Sequence, residues 1–225
     1  MKRYSLTSLI GGGTRLNRPG AVSVAHHGVL ILNGAPEMAP AALDALRTPL
    51  EGGEVMLRSG GVTARLPARF QLVLTADPCP CGKPVPWCAC SPTALRRYAQ
   101  RVPGAIMARV DVRAYVCPGA PPTPAEPSRT VAERVREARD RQAWRLRGSA
   151  WTVNADLPSD FIRAHLPVPD GIELVENALV AGRLSHRGAD IVVRVAWTLA
   201  DMAGLDKPGG DQIVAALDLR LGKET

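Results

Sequence analysis

Residues 117–128, CPGAPPTPAEPS, constrain the fold more than any other stretch. Their five prolines lack a backbone N–H donor and hold φ near −65°, so neither a helix nor an interior strand can run through them. The chain is therefore read as two pieces joined by a linker at 118–129. In residues 1–117 short apolar runs alternate with helical patterns. In residues 130–225 the patterns are helical throughout. This order predicts an α/β block followed by an all-α block.

Within the first piece, Gly11-Gly12-Gly13 marks a tight turn, followed by a short strand at Ala21–Ala25. Val29–Leu32 is continuously apolar, as a parallel strand is when both its faces are covered. Pro40 opens a helix whose stripe is Leu43, Leu46 and Leu50, closed by Gly52-Gly53. Alternation in EVMLRSGGVTARL predicts a β-hairpin with Arg58 and Arg65 on one face. Phe70–Ala76 reads as a second buried strand, Ser91-Pro92 as the start of a helix to about Gln100, and Val110–Val116 as a further strand. Beyond the linker, helices are expected at 130–147, 172–181, 188–203 and 211–221. In the third of these, Ile191, Val192, Val195, Leu199 and Met202 mark the buried stripe.

Twenty-eight Lys and Arg against 21 Asp and Glu leave a net charge of +7. That excess suits an anionic partner such as a nucleic acid or nucleotide, and equally a surface solvated by arginine. No apolar run approaches the ~20 residues of a membrane span. Lys2 and Arg3 precede no sustained apolar run, so no signal peptide is read and the expected location is cytoplasmic. In such a compartment the five cysteines are thiols or metal ligands. Cys79, Cys81, Cys88 and Cys90 form C-x-C, six residues, C-x-C. Four thiolates suit a closed, structural tetrahedral Zn²⁺ site, although the spacing departs from the common C-x₂-C knuckle and also fits four reduced thiols in a proline-rich loop. Cys117 stands apart and reads as a packed thiol.

The segments LIGGG, RPGAVSVAHHGVLIL, APE, LDALRTPLEGGEV, PARFQLVLTADPCPCG, CSPTALRRY and LSHRGADIVVRVAWTLAD occur in one order between Leu9 and Leu217. With them the chain resembles the magnesium-chelatase-like AAA+ ATPases of the ComM/YifB type, over the second half of such a protein. The resemblance implies a partial AAA+ three-layer αβα core followed by a helical lid, ATP and Mg²⁺ as cofactors, a ring assembly such as a hexamer, and DNA processing in natural transformation. A P-loop, Gly-x₄-Gly-Lys-Ser/Thr, occurs nowhere in the 225 residues.

The resemblance also suggests roles for single residues. Asn33 and Gly34 take the places of the two Walker B acids, which hold Mg²⁺ and orient the attacking water. Neither carries a carboxylate, so hydrolysis at this site is not expected, and the strand serves as core. Asp77 takes the sensor 1 place, where its charge opposes that of a phosphate, or simply starts a turn with Pro78. Arg109 matches the arginine finger that reaches a neighbouring subunit's nucleotide. Arg187 matches sensor 2, with Arg194 two helical turns on. Arg58 and Arg65 lie on a hairpin that such proteins aim into the ring pore, toward DNA phosphates. His26 and His27 read as packing or turn residues.

Overall fold

A computed structural model describes residues 5–13, 18–59, 62–83, 87–116 and 126–222. The chain divides into two compact units, Met1–Val110 and Asp111–Thr225. The central residues of the proline-rich linker, 118–125, and Cys117 lie outside the described residues.

In the first unit, α1 (Leu6–Ile10) is capped by Ser5, whose side chain accepts from the Ser8 N–H. The chain then forms a short antiparallel pairing of β1 (Gly11–Gly12) with β2 (Arg18–Pro19). Gly11 has φ +106°, and a Cβ there would lie 2.5 Å from the Arg18 carbonyl oxygen; only glycine permits this approach. The expected strand at 21–25 is instead a single helical turn, α2 (Ala21–Val24). The five-residue alternation cannot separate the two forms. The Gly20 carbonyl accepts from both Ser23 and Val24, and burying Val22 alone anchors the turn.

β3 (Val29–Leu32) is a strand as expected, with Leu30 and Leu32 buried but Val29 and Ile31 exposed. The expected long helix is two, α3 (Pro40–Asp44) and α4 (Arg47–Gly52). Pro49 explains the break: its ring would collide with the carbonyl four residues back, at Ala45, so the helix restarts and Pro49 falls in the first turn of α4. The expected hairpin forms, β4 (Glu54–Ser59) against β5 (Val62–Pro67), with Met56 opposite Arg65 and Arg58 opposite Thr63. Val55 and Leu57 are buried on its inner face. β6 (Gln71–Leu74) pairs parallel with β3, Val29 opposite Gln71 through Leu32 opposite Leu74. α5 (Pro92–Ala99), capped by Ser91, and α6 (Gly104–Met107) follow. Leu9, Leu32, Leu43, Leu46 and Ile106 are fully buried in this unit's core.

In the second unit, residues 111–116 form no strand. The Arg113 N–H donates to the Leu219 carbonyl at 2.7 Å. That carbonyl lies in the last turn of a helix, where it has no partner within the helix. With no described strand beside it, the segment caps a helix end instead. The helices are α7 (Ser128–Arg145), α8 (Ser159–His165), α9 (Ile172–Val180), α10 (His186–Ala203) and α11 (Gly210–Leu221). The expected Glu137–Arg141 pair forms on α7, at 4.0 Å. The α10 stripe is shifted from expectation: Ile191, Val192, Ala196, Trp197, Ala200 and Asp201 are buried, while Met202 is exposed. α9, α10 and α11 share a core through Val175, Val192 and Ile213. No helix of the described residues is long and apolar enough to cross a membrane.

Candidate functional site

The parallel strands of the first unit end together, and their tip is tied by one threonine. The Thr75 hydroxyl donates to Asn33 Oδ1 and accepts from the Gly34 N–H, each at 3.2 Å. The Thr75 N–H donates to the Leu32 carbonyl, and the Thr75 carbonyl accepts from Ala35. Gly34 is left-handed, φ 67° and ψ 48°, and turns the chain into a short 3-10 helix, Ala35–Glu37. Asn33 is exposed at the tip, but its amide oxygen is engaged by Thr75. No carboxylate stands at either position. The acids near this end are Glu37 and Asp77. Both press the Tyr98 phenol upward from its ordinary pKa: burial is the largest cause, followed by the charge of Glu37 and then that of Asp77. Arg101 offsets Glu37 at 3.7 Å.

Cys79, also felt by Tyr98, opens the cysteine cluster. Its Sγ lies 3.0 Å from Cys81 Sγ and 3.3 Å from Cys88 Sγ, and Cys81 and Cys88 are 3.7 Å apart. All four sulfurs, Cys90 included, lie within 4.8 Å of one another. A tetrahedral Zn²⁺ with bonds of about 2.3 Å separates its sulfurs by about 3.8 Å, a spacing that small side-chain adjustments of these four sulfurs would reach. The thiols also behave as a set. Hydrogen bonds from Cys81 and Cys88 pull Cys79 down to about 7. A hydrogen bond to Cys81 together with burial pushes Cys90 up to about 12. Four neighbouring thiolates repel one another, and a divalent cation supplies the charge that lets them coexist.

Arg109 follows α6 and is largely buried, with 13% of its side chain exposed. It donates to the Ala105 carbonyl at 2.6 Å and pairs with Glu51 of α4. On the hairpin, Arg58 and Arg65 share the outward face. Arg65 is paired with Glu54, which raises its pKa through the hydrogen bond and the charge. Arg58 lies against Met56, 3.7 Å from its sulfur. The Arg69 N–H donates to His26 Nδ1 at 3.1 Å, and the His27 N–H donates to the Arg69 carbonyl at 2.6 Å. The histidines thus serve the turn.

In the second unit Arg187 lies exposed in the first turn of α10, behind the Ser185 cap. Arg194 Nε donates to the Leu157 carbonyl at 2.8 Å. With Asp111 it lines a small cavity that also includes Ala155, Ile191 and Thr198. Desolvation raises the Asp111 carboxyl, and the charges of Arg220, Arg194 and Arg187 oppose the rise. Burial lowers Arg220, and Arg113 lowers it further. Arg187 and Arg194 thus share one electropositive cluster with Arg220.

Sequence reasoning assigned no role to Thr75, Tyr98, Asp111 or Arg220. Thr75, a hydroxyl closing an apolar strand, carried the clearest signal. It also missed a buried network in the second unit. Asp201 accepts from Arg145 at 2.5 and 2.8 Å and from Asn154 at 2.8 Å, while the Arg145 guanidinium lies over the Trp197 ring at 4.4 Å.

These features define a mixed α/β protein with small sheets in its first unit and a helical second unit, consistent with a partial αβα core followed by a helical region. Two family models cover it: "Magnesium chelatase, subunit ChlI" matches residues 2–121, and "Magnesium chelatase, subunit ChlI C-terminal" matches residues 125–220. The chain belongs to this magnesium-chelatase family, on its ComM/YifB-like branch. It is 41% identical over 222 residues to an uncharacterized protein of Mycobacterium tuberculosis, covering 96% of this chain and 44% of that protein. It is 38% identical to YifB of Escherichia coli over 88% of this chain and 40% of YifB. It is 34% identical to the competence protein ComM of Haemophilus influenzae over 96% of this chain and 43% of ComM. The chain spans less than half the length of these relatives.

Proposed function

We propose that this chain is a nucleotide-associated AAA+ segment of a ComM/YifB-type DNA-processing machine, and that it does not hydrolyse ATP by itself. The observation that carries the reading is the strand tip. Asn33 is bonded to Thr75, Gly34 has no side chain, and the place where Mg²⁺ and water would be managed holds no carboxylate. Loss of a positioned base costs about 10²–10⁴ in rate, and phosphoryl transfer depends on such positioning and on metal charge. Asp77 adds like charge where a γ-phosphate would lie, which weakens Mg·ATP binding further.

Several features support the remainder of the reading. Arg187 and Arg194, within a cluster of arginines, suit phosphate contact from the helical unit. Arg109 suits a trans contact in a homo- or hetero-oligomeric ring, where it would exchange Glu51 for a neighbour's phosphate. The name of the Haemophilus relative, a competence protein, fits a role in DNA processing during natural transformation. Cys79, Cys81, Cys88 and Cys90 would hold a structural Zn²⁺, which would knit the loop after β6 without an open coordination position.

The test is phosphate release by the purified chain with ATP and Mg²⁺. The expected rate is indistinguishable from buffer. Turnover abolished by Arg109→Ala would refute the reading. A second reading, a DNA-binding or scaffold module that uses no ATP, draws on Arg58 and Arg65 on one hairpin face. It requires affinity for DNA that falls as salt rises, and a response flat in salt would reject it.

A further inference from the structure

We propose that the N-terminal half of α7 docks into the groove between α9 and α11 of a second copy, so that the helical units of neighbouring chains join head to tail. Val131, Val135, Ala138 and Gln142 follow one another at the 4-3-4 spacing that keeps side chains on one side of a helix. Ala138 and Gln142 are buried, and beside them Arg141 and Arg145 bond to Asp201 of α10. Toward the N-terminus the same stripe loses its cover. Val131 is 38% exposed and Val135 41%, and all of residues 128–137 are exposed. The apolar stripe thus continues about two turns past the last position that packs.

The groove lies on other helices of the same unit. Leu174 and Asn177 of α9 line it on one side and Val214, Leu217 and Asp218 of α11 on the other, with Arg183, around a volume of about 300 Å³. Leu174 is 37% exposed and Val214 47%. Three to four helical residues span roughly 5–6 Å, so each side of the groove is one turn long, and Val131 and Val135, four residues apart, match it in length. The charges match as well. The chain is basic overall, but the groove is not: Asp218 lines it, Asp211 stands two turns earlier on the same face of α11, and Glu173 precedes Leu174, against Arg183 alone among the lining residues. The valine stripe is flanked by Arg134 and Arg139, about 60° and 80° round the helix from Val131 on opposite sides; Arg134 also holds Glu126. An apolar stripe between arginines thus meets an apolar groove beside acids, the helix-in-groove mode with complementary rims. A two-fold contact would instead set arginines on arginines or acids on acids. A contact between two unlike surfaces closes into a ring or extends, according to the rotation it imposes. It needs neither nucleotide nor Arg109, so it is separable from the reading above.

The experiment is sedimentation velocity on the 225-residue chain over about 5–500 μM, in buffer without nucleotide. The average mass is expected to rise with concentration. Val131→Asp with Val135→Asp removes the stripe, and Leu174→Asp with Val214→Asp removes the groove; all four positions are exposed, and circular dichroism monitors folding. Each double variant alone should associate at least about tenfold more weakly, as loss of a central apolar anchor does. Mixed in equal amounts, the two should form a 1:1 dimer and nothing larger, because the intact groove of the first still accepts the intact α7 of the second. Should an aspartate variant unfold, Arg134→Glu with Arg139→Glu and Glu173→Lys with Asp211→Lys test the same contact by charge reversal. Each should weaken association several-fold, and their mixture should restore it, since reversed charges also meet. Four results overturn the proposal: a monomer at every concentration; association that one or both sets of substitutions leave unchanged; a mixture that stays monomeric; or association that appears only with ATP and Mg²⁺, which would place the contact at the nucleotide and not at this groove. None of these bears on whether the chain releases phosphate.

Discussion

Replacing Asp201 with alanine should selectively destabilise the helical unit. Asp201 is fully buried, and its carboxylate accepts two hydrogen bonds from Arg145 and one from Asn154. Arg145 is itself only 15% exposed. Removing the acid leaves a buried guanidinium without its counter-charge, which costs about 3–5 kcal/mol. Unfolding entropy of about 2.1 cal/mol/K per residue, over the unit 111–225, gives roughly 0.24 kcal/mol/K, so the melting temperature should fall by about 12–21 °C. Scanning calorimetry is the appropriate assay, because two compact units can melt as two transitions and only one should move. The double variant Arg145→Met with Asp201→Leu should recover much of the loss, since a packed apolar pair replaces a buried ion pair at little cost. A shift below about 4 °C for Asp201→Ala, equivalent to ~1 kcal/mol, would refute the claim that this carboxylate is sealed from water.

Other outcomes follow from the first unit. Protein purified without chelators should carry about one equivalent of zinc. Cys88→Ser should lower that content below half, and acidification should release the metal as protons compete for the thiolates; zinc retained unchanged in the serine variant would reject a four-cysteine site. Thr75→Val keeps the shape of the strand but strands Asn33 Oδ1 and the Gly34 N–H, and should cost about 1 kcal/mol in urea unfolding; no change would mean that water already serves both groups. Arg58→Ala should weaken DNA binding and reduce the slope of log affinity against log salt by about 1, and an unchanged slope would remove Arg58 from the interface.

The elements legible in the sequence were those whose periodicity is long enough to have one solution. The hairpin at 54–67 alternates over two full strands, and α7, α10 and α11 each run for three turns or more. Val29–Leu32 was legible as a parallel strand, but its four letters could not tell that only Leu30 and Leu32 find cover. The 21–25 segment was too short to separate a helical turn from a strand. Residues 110–116 carry strand-like composition, yet they spend a backbone donor on the end of α11. The break at Ala45–Leu46 was readable in principle from Pro49, whose steric effect acts four residues upstream. At the candidate site, the cysteine spacing pointed to a cluster that the fold does assemble. Thr75 beside Asn33, Glu51 beside Arg109 and Leu157 beside Arg194 were not legible, because each lies far along the chain and depends on tertiary placement.

Two of those partnerships share a logic that bears on function. Asn33 gives its oxygen to Thr75, and Arg109 gives its charge to Glu51. The first bond is neutral, and it leaves the strand tip without the negative charge that would draw in a divalent cation. The second is a charge pair whose arginine is largely buried but whose acid is 54% exposed, so Glu51 can remain hydrated while Arg109 turns to another anion. A neighbouring nucleotide carries more negative charge than one carboxylate, so it can compete for Arg109 wherever a ring brings it within reach. Asn33 has no comparable exchange, because an amide gains little by leaving one hydroxyl for another neutral partner. The asymmetry separates the two proposed roles: contribution in trans requires only that a salt bridge change partners, whereas hydrolysis in cis requires carboxylates that positions 33 and 34 do not possess.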